Sequence, residues 1–272
     1  MDRLDRLGWT VGMAVASQGV KVGIRANRAD ALERIAEQLP DGWKPARSPV
    51  VDMMYSISAH DNAPNSRIQH FNLLFAGAQK LARTLDFNEL VDAFNRDLPI
   101  SVAATSTRRL FVRAGVVGWK GRAIIIPGDS GTGKTRLIQA LVEAGASYYS
   151  DEFAVLDRNG RVHPYAIAVE IKRGDAAGPT RIPVTRMGWA VGKRPLPVGL
   201  ILLSQYKQRA AFRPASATSG EAVLALLANC FSPLREPDAL LSLFAEVAAG
   251  ATILKGSRGE AAEAVEAILS AM

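Results

Sequence analysis

The chain has 272 residues, nearly half of them apolar and about a fifth charged, with a net charge of +7. That length supports one large domain or two small ones, and no apolar run approaches the roughly 18 residues of a membrane-spanning helix. A single cysteine, Cys230, excludes an internal disulfide framework, and three histidines (His60, His70 and His163) leave no histidine-rich metal site.

In chain order, "MDRLDRLGWTVGMAVAS" mixes acid and base before a short apolar stretch. That is not the basic-then-apolar layout of a secretory signal, so a cytoplasmic protein is expected. "GVKVGIRA" (19–26) alternates as a strand, and "RADALERIAEQLP" (28–40) has helical spacing and stops at a proline. "VVDMMYSISA" (50–59) and "QHFNLLFAG" (69–77) read as strands around the polar loop "HDNAPNSR". Residues 1–86 are thus expected to form a small α+β region with no chemistry of their own to name. A second domain is expected over 87–272. It opens with the helix "DFNELVDAFNRDL" (86–98), capped by Asp86 and kinked or ended by Pro99.

A different rhythm follows. "LFVRAGVV" and "RAIIIPG" read as two strands around the turn "GWKG", and "TRLIQALVEAG" as a helix ending at Gly145. Next come the strand "SYYSD" and a hairpin, "EFAVLDRNGRVHPY", turning at Asn159-Gly160. The Pro/Gly/Arg-rich stretch 173–197 lacks periodicity and reads as a long surface loop. "PVGLILLSQY" is a buried strand, and helices near 219–230, 237–248 and 258–271 surround the short strand "ATILKG".

Charge is uneven along this order. Residues 1–100 hold 12 basic and 12 acidic side chains, whereas 101–136 hold 7 and 1, and 172–213 hold 9 and 1. Two basic segments around a glycine-rich turn suggest a positive cleft for an anionic ligand or acidic partner, or else simply solvated loops. The aromatic interleaving of single-strand binders is absent, which argues against nucleic acid.

The turn itself, "GDSGTGKT" (128–135), matches G-x-x-x-x-G-K-[ST], with a strand before it and a helix after it. Glycines let backbone amides converge on an anion at a helix N-terminus. Lys134 would reach the β- and γ-phosphates, and the Thr135 hydroxyl would hold Mg²⁺. The nucleotide-binding set is Gly128, Asp129, Ser130, Gly131, Thr132, Gly133, Lys134, Thr135 and Arg136. A loop of this kind implies a nucleotide without naming a reaction. The acidic pair Asp151-Glu152 ends the strand "SYYSD", one helix, one turn and one strand beyond Thr135. In a parallel sheet that end sits beside the loop. Asp151 could there contact the metal or accept a proton from an attacking hydroxyl.

The segment "AIIIPGDSGTGKTRLIQALVEAGASYYSDEFAVLD", with the hairpin before it, resembles the catalytic core of HPr kinase/phosphorylase and its relatives, a group akin to the nucleotide domain of phosphoenolpyruvate carboxykinase. The resemblance covers residues 108–175 well, 176–272 by order of elements, and 1–86 hardly at all. It implies an α/β fold, a P-loop core on a mixed β-sheet preceded by the small α+β region. It also implies ATP with Mg²⁺, phosphoryl transfer to a serine hydroxyl, and a homo-oligomer. On this resemblance Lys134, Asp151, Glu152 and Arg113 form the catalytic set, and Thr135, Asp151 and Glu152 the metal set. The acceptor would be a protein, a peptide or a small-molecule hydroxyl. Three departures stand out. Arg113 occupies a position where relatives commonly carry histidine, and cannot shuttle a proton. The second acid is Glu152 instead of Asp. "VEIKRG" (169–174) only faintly matches the Glu-x-Arg-Gly segment of the reverse, phosphorolytic reaction.

Two competing readings remain at this point: a nucleotide switch that docks a partner through 173–197, and a nucleic-acid-associated NTPase. Lys172, Arg173, Arg181, Arg186, Lys193 and Arg194 are candidate substrate contacts, and Trp119 a candidate cover for nucleotide or partner. Arg258 is expected at the surface or as a cap of the last helix, His163 as structural, and Cys230 as core.

Overall fold

The computed structural model describes residues 8–40, 42–61, 69–129, 131–171, 180–182, 184–231 and 237–272. The chain divides into two compact units, Met1–Thr107 and Arg108–Met272. Among the described residues there are six α-helices, and none is long and apolar enough to cross a membrane.

The first unit runs β1 (Val11–Ser17), β2 (Val20–Ala26), α1 (Ala29–Ala36), β3 (Lys44–Pro45), β4 (Met53–Ser58), β5 (Asn72–Ala76), β6 (Gln79–Thr84) and α2 (Phe87–Thr105). Its six-stranded sheet has the order β3-β1-β2-β4-β5-β6. The β2–β4 pair is parallel, with α1 in the connection, and the other pairs are antiparallel. Helix α1 buries Ala31 and Ile35, and α2 buries Leu90, Phe94, Leu98 and Val102, with Phe94 edge-on to Tyr55 at 5.0 Å. Asp86 caps α2 as expected, its carboxylate accepting from the Asn88 N–H at 2.8 Å. The helix does not end at Pro99 but continues to Thr105. A mid-helix proline costs about 3 kcal/mol. Burial of Leu98, Val102 and Ala103 offsets it, at about 1.5–3 kcal/mol for each larger apolar side chain. Because α2 packs on β5 and β6, it belongs to the first unit, and the division falls at 107/108 where the sequence suggested 86/87.

The second unit holds β7 (Leu110–Trp119), β8 (Arg122–Pro127), α3 (Lys134–Glu143), β9 (Ser147–Ser150), β10 (Phe153–Leu156), β11 (Arg161–His163), β12 (Val169–Ile171), β13 (Thr180–Ile182), β14 (Leu196–Tyr206), β15 (Ala215–Ser216), α4 (Ser219–Ala228), α5 (Pro237–Ala249), β16 (Thr252–Arg258) and α6 (Ala261–Ser270). The fold is α/β with a mixed sheet of order β11-β10-β7-β8-β14-β16-β15, in which β9 also pairs with β7. β8, β14 and β16 are mutually parallel. After the exposed Arg122, β8 is apolar from Ala123 to Pro127 because both its faces are covered. Ala123 and Ile125 join a core with Ala222, Leu226, Leu240 and Phe244 of α4 and α5. Ile124 and Ile126 join another with Leu137, Ile138, Ala264 and Ile268 of α3 and α6.

The β7–β8 hairpin turns at Lys120 and Gly121, both at positive φ (46° and 77°), the geometry of a tight hairpin turn. The Pro/Gly/Arg-rich stretch is not one continuous loop. It contains β13 and a 3-10 turn, Val184–Met187, after which Tyr148 of β9 donates its N–H to Ala190 O and Gly192 donates back to Tyr148 O.

Candidate functional site

The apolar run of β8 ends at Pro127, and the chain turns through Gly128, Gly131 and Gly133 at φ 150°, 88° and 79° before α3 begins at Lys134. Repeated left-handed steps are the backbone behaviour of an anion nest. The loop is cross-braced by its own side chains. Thr132 Oγ1 donates to Asp129 O at 2.9 Å, and the Lys134 ammonium donates to the same carbonyl at 2.6 Å. Lys134 is buried, and that burial pushes its pKa down to about 8; Arg113 adds to the effect, while Asp151, Asp129 and Glu152 oppose it. Ser130 lies outside the described residues.

Gly115 of β7 sets how closely α3 approaches the sheet. A Cβ there would stand 2.8 Å from Ile138 and 3.8 Å from the Lys134 Cβ. Arg113, two residues back, shares that strand face. Its guanidinium lies 6.0 Å from the Phe153 ring centroid and 5.7 Å from that of Phe231.

The acidic side of the site comes from β9. The expectation of a parallel neighbour needs correction, since β7 is antiparallel to both β8 and β9 and lies between them. β9 therefore runs the same way as β8, two positions across, and its end still reaches the loop. Thr135 Oγ1 donates to Asp151 Oδ2 at 3.2 Å. A bulge makes this reach possible. Val116 and Val117 are adjacent on β7, but their partners are Ser150 and Tyr148, so Tyr149 is the extra residue.

The fully buried Tyr148 hydroxyl donates to Asp151 Oδ1 at 2.9 Å. Burial first, and the Asp151 charge second, hold that phenol well above its ordinary pKa, so it remains a donor. One Asp151 oxygen is thus occupied by Tyr148 and the other faces Thr135. Glu152 follows, its N–H on Ser150 Oγ at 3.3 Å and its carbonyl accepting from the Ala114 N–H at 3.1 Å. We expect Tyr148→Phe to cost about 1 kcal/mol of stability. Asp151 would lose the bond that fixes its rotamer; denaturant melts of the two proteins check the cost.

Thr135, Asp151 and Glu152 offer hard oxygen donors after the glycine turn. Mg²⁺ is ordinarily held by one or two carboxylates together with substrate phosphates, and these residues fit it. Among the described residues no group of three or more His, Cys, Asp or Glu could hold a metal on its own.

The loop, Lys134, Thr135 and Asp151 therefore come together, and Arg113 and Glu152 act on Lys134 through their charges. Arg136 is exposed in the first turn of α3 and has no hydrogen bond or ion pair among the described residues. Arg186, Lys193 and Arg194 are exposed; Lys172 and Arg173 fall outside the described residues, as does the Arg181 side chain. Trp119 is not a nucleotide cover. It sits at the far end of β7 from the loop, packed on the core under α3 and α6. His163 closes its hairpin on Asp157 at 2.8 Å, and Cys230 packs against the core under α4 and α5.

Two residues were not legible as part of the site. Tyr148 reads simply as an apolar strand residue. Arg258 is not in the last helix: β16 extends to it, pairing it with Tyr206, and it is buried against the loop. The signal available for Arg258 was its position at the end of a strand, the edge where open α/β sheets bind ligands.

No protein-family model matches the chain, and no curated protein matches it. Among solved structures, the Hpr(Ser) kinase/phosphatase from Coxiella burnetii is similar at 16% identity over 59% of this chain and 93% of that one. The TM-score is 0.33, too low to establish a common fold.

Proposed function

We propose that the chain is an ATP-dependent phosphotransferase that moves the γ-phosphoryl group to a hydroxyl, on a serine of a small protein or peptide. The observation that carries this reading is the Thr135–Asp151 hydrogen bond at 3.2 Å, which brings the loop and the end of β9 into one site. In this reading the loop amides and Lys134 hold the phosphates, and Arg113 adds positive charge nearby. Thr135 and Asp151, with Glu152, would hold Mg²⁺, which when bound neutralises phosphate charge. The acceptor oxygen forms its bond to the γ-phosphorus as the bond from that phosphorus to the bridging oxygen breaks. Asp151 takes the acceptor's proton, and ADP leaves. Positioning and charge supply most of the rate.

Arg113 favours a second reading. An arginine cannot relay a proton, so the same loop could bind nucleotide and signal its presence without transfer. Labelled γ-phosphate supplied as ATP-Mg²⁺ to the protein in a lysate depleted of kinases separates the two. Label appearing on a protein or metabolite supports transfer, whereas ATP bound with no label moved supports the switch.

Nucleotide affinity should depend on pH through Lys134. Its depressed value, about 8, means the ammonium is retained below pH 8 and lost above it, while bound phosphate favours the charged form. Affinity is therefore expected to be flat below pH 8 and to fall as pH rises beyond it, by at most about tenfold per unit. Binding near pH 8.5 should take up protons, seen as a dependence of the calorimetric heat on buffer ionisation.

A further inference from the structure

β8, β14 and β16 run parallel, so their C-terminal ends share one edge, where the glycine loop lies at the end of β8. Arg258 is the last residue of β16 and only 2 % exposed. Its Nη2 donates to Gly133 O at 2.8 Å and to Thr132 O at 3.2 Å, across some 125 residues of sequence. The fit is close: a Cβ on Gly133 would stand 2.9 Å from that nitrogen. Its Nε is buried without a hydrogen-bond partner among the described residues. Arg258 makes no ion pair among the described residues, and Glu260 and Tyr206 act on it only through space.

A guanidinium remains charged inside a protein, and a buried cation without a carboxylate is costly. Two carbonyl dipoles answer part of that charge. We infer that Arg258 is a positioning residue of the phosphate loop, and that a phosphate anion held by the loop is the counter-charge it lacks. The inference rests on the loop binding phosphate, as proposed above, and extends it. The donor bonds on Thr132 O and Gly133 O hold the backbone of Gly133 in the left-handed turn that starts α3. The buried charge stands behind the loop and raises its attraction for anions. Burial also holds the Arg258 pKa below the usual arginine range, consistent with an uncompensated charge.

The test is thermal unfolding of the full chain with no ligand, with adenosine, with inorganic tripolyphosphate, and with ATP-Mg²⁺. Wild type is compared with Arg258→Gln, which keeps a donor for the carbonyls but no charge, and with Arg258→Lys, which keeps the charge. Wild type is expected to be stabilised by tripolyphosphate and ATP. Arg258→Gln should bind both about tenfold more weakly, and Arg258→Lys should stay within about threefold of wild type. Adenosine should not distinguish the three. An Arg258→Gln protein stabilised as strongly as wild type overturns the inference and leaves a plain structural clamp. Should Arg258→Gln not fold, an Arg258→Lys protein that folds but no longer responds overturns it equally. A wild type that answers to tripolyphosphate and not to ATP removes the nucleotide reading while the Arg258 comparison proceeds on tripolyphosphate. A wild type that answers to neither overturns both.

Discussion

Lys134→Ala is expected to lower phosphoryl transfer about a thousandfold, the loss typical of removing one preorganised donor to a developing charge, while leaving the protein at least as stable as before. The second half of that expectation follows from burial. Among the described residues of the loop, the Lys134 ammonium donates to Asp129 O at 2.6 Å and, at 3.5 Å, to Thr132 Oγ1. Its folded pKa, about 8, lies below the 10.5 of an unperturbed lysine. A lysine with a depressed folded pKa destabilises the fold below that value, and the penalty disappears as pH rises toward the unfolded one. After subtracting the lost hydrogen bonds, the alanine variant should gain roughly 1–2 kcal/mol at pH 7. The gain should shrink between pH 8 and 10.5. Denaturant unfolding across that range, beside transfer assays on the same samples, checks both halves. Activity and stability lost together would mean the side chain is merely structural.

Asp151→Asn is expected to separate chemistry from binding. The change is isosteric, so an Asn oxygen can still accept from Tyr148, where the present bond is 2.9 Å. What disappears is the charge and the ability to take a proton. On the Thr135 side an amide nitrogen could replace the carboxylate oxygen, now 3.2 Å from the hydroxyl, and it would present a donor where an acceptor is needed. Transfer should fall about a thousandfold or more, the sum of a lost general base, typically 10²–10⁴, and a weakened metal site. ATP affinity without metal should change by less than about threefold, because the loop amides and Lys134 are intact. Single-turnover rates and metal-free ATP titrations report the two quantities separately. Equal losses in both would place Asp151 among groups that merely bind.

The parts of this site that were legible in the sequence are those built by neighbours in sequence. β8, the loop and α3 could be read together because a doubly buried strand, three glycines and a 3.6-residue period follow one another without a gap. Asp86 could be read as a cap, and Asn159-Gly160 as a turn, for the same local reason. What was not legible depends on pairing over long separations. The bulge at Tyr149 decides where Asp151 ends up, and it exists only in the register with β7. Arg258 sits where a strand ends and a helix is about to begin, a context in which exposed caps are usual. Only the parallel pairing of β14 with β16 shows that this edge faces the glycine loop. β1 is illegible in the sequence because Gly12, Ala14 and Ala16 give its alternation little contrast, and β6 because an edge strand can stay polar. Pro99 works in the other direction: a local signal to stop the helix is outweighed by tertiary burial along α2.

One site for nucleotide and metal, built from the glycine loop and the end of β9, is what the proposed function requires. Calorimetric titration of ATP into the wild-type protein, with Mg²⁺ and with the metal chelated, tests it most directly. Saturable binding of one ATP per chain is expected, tightening at least about tenfold when Mg²⁺ is present, given the charge a divalent ion neutralises beside two carboxylates. Binding that is indifferent to Mg²⁺, or no binding of ATP at all, would contradict it.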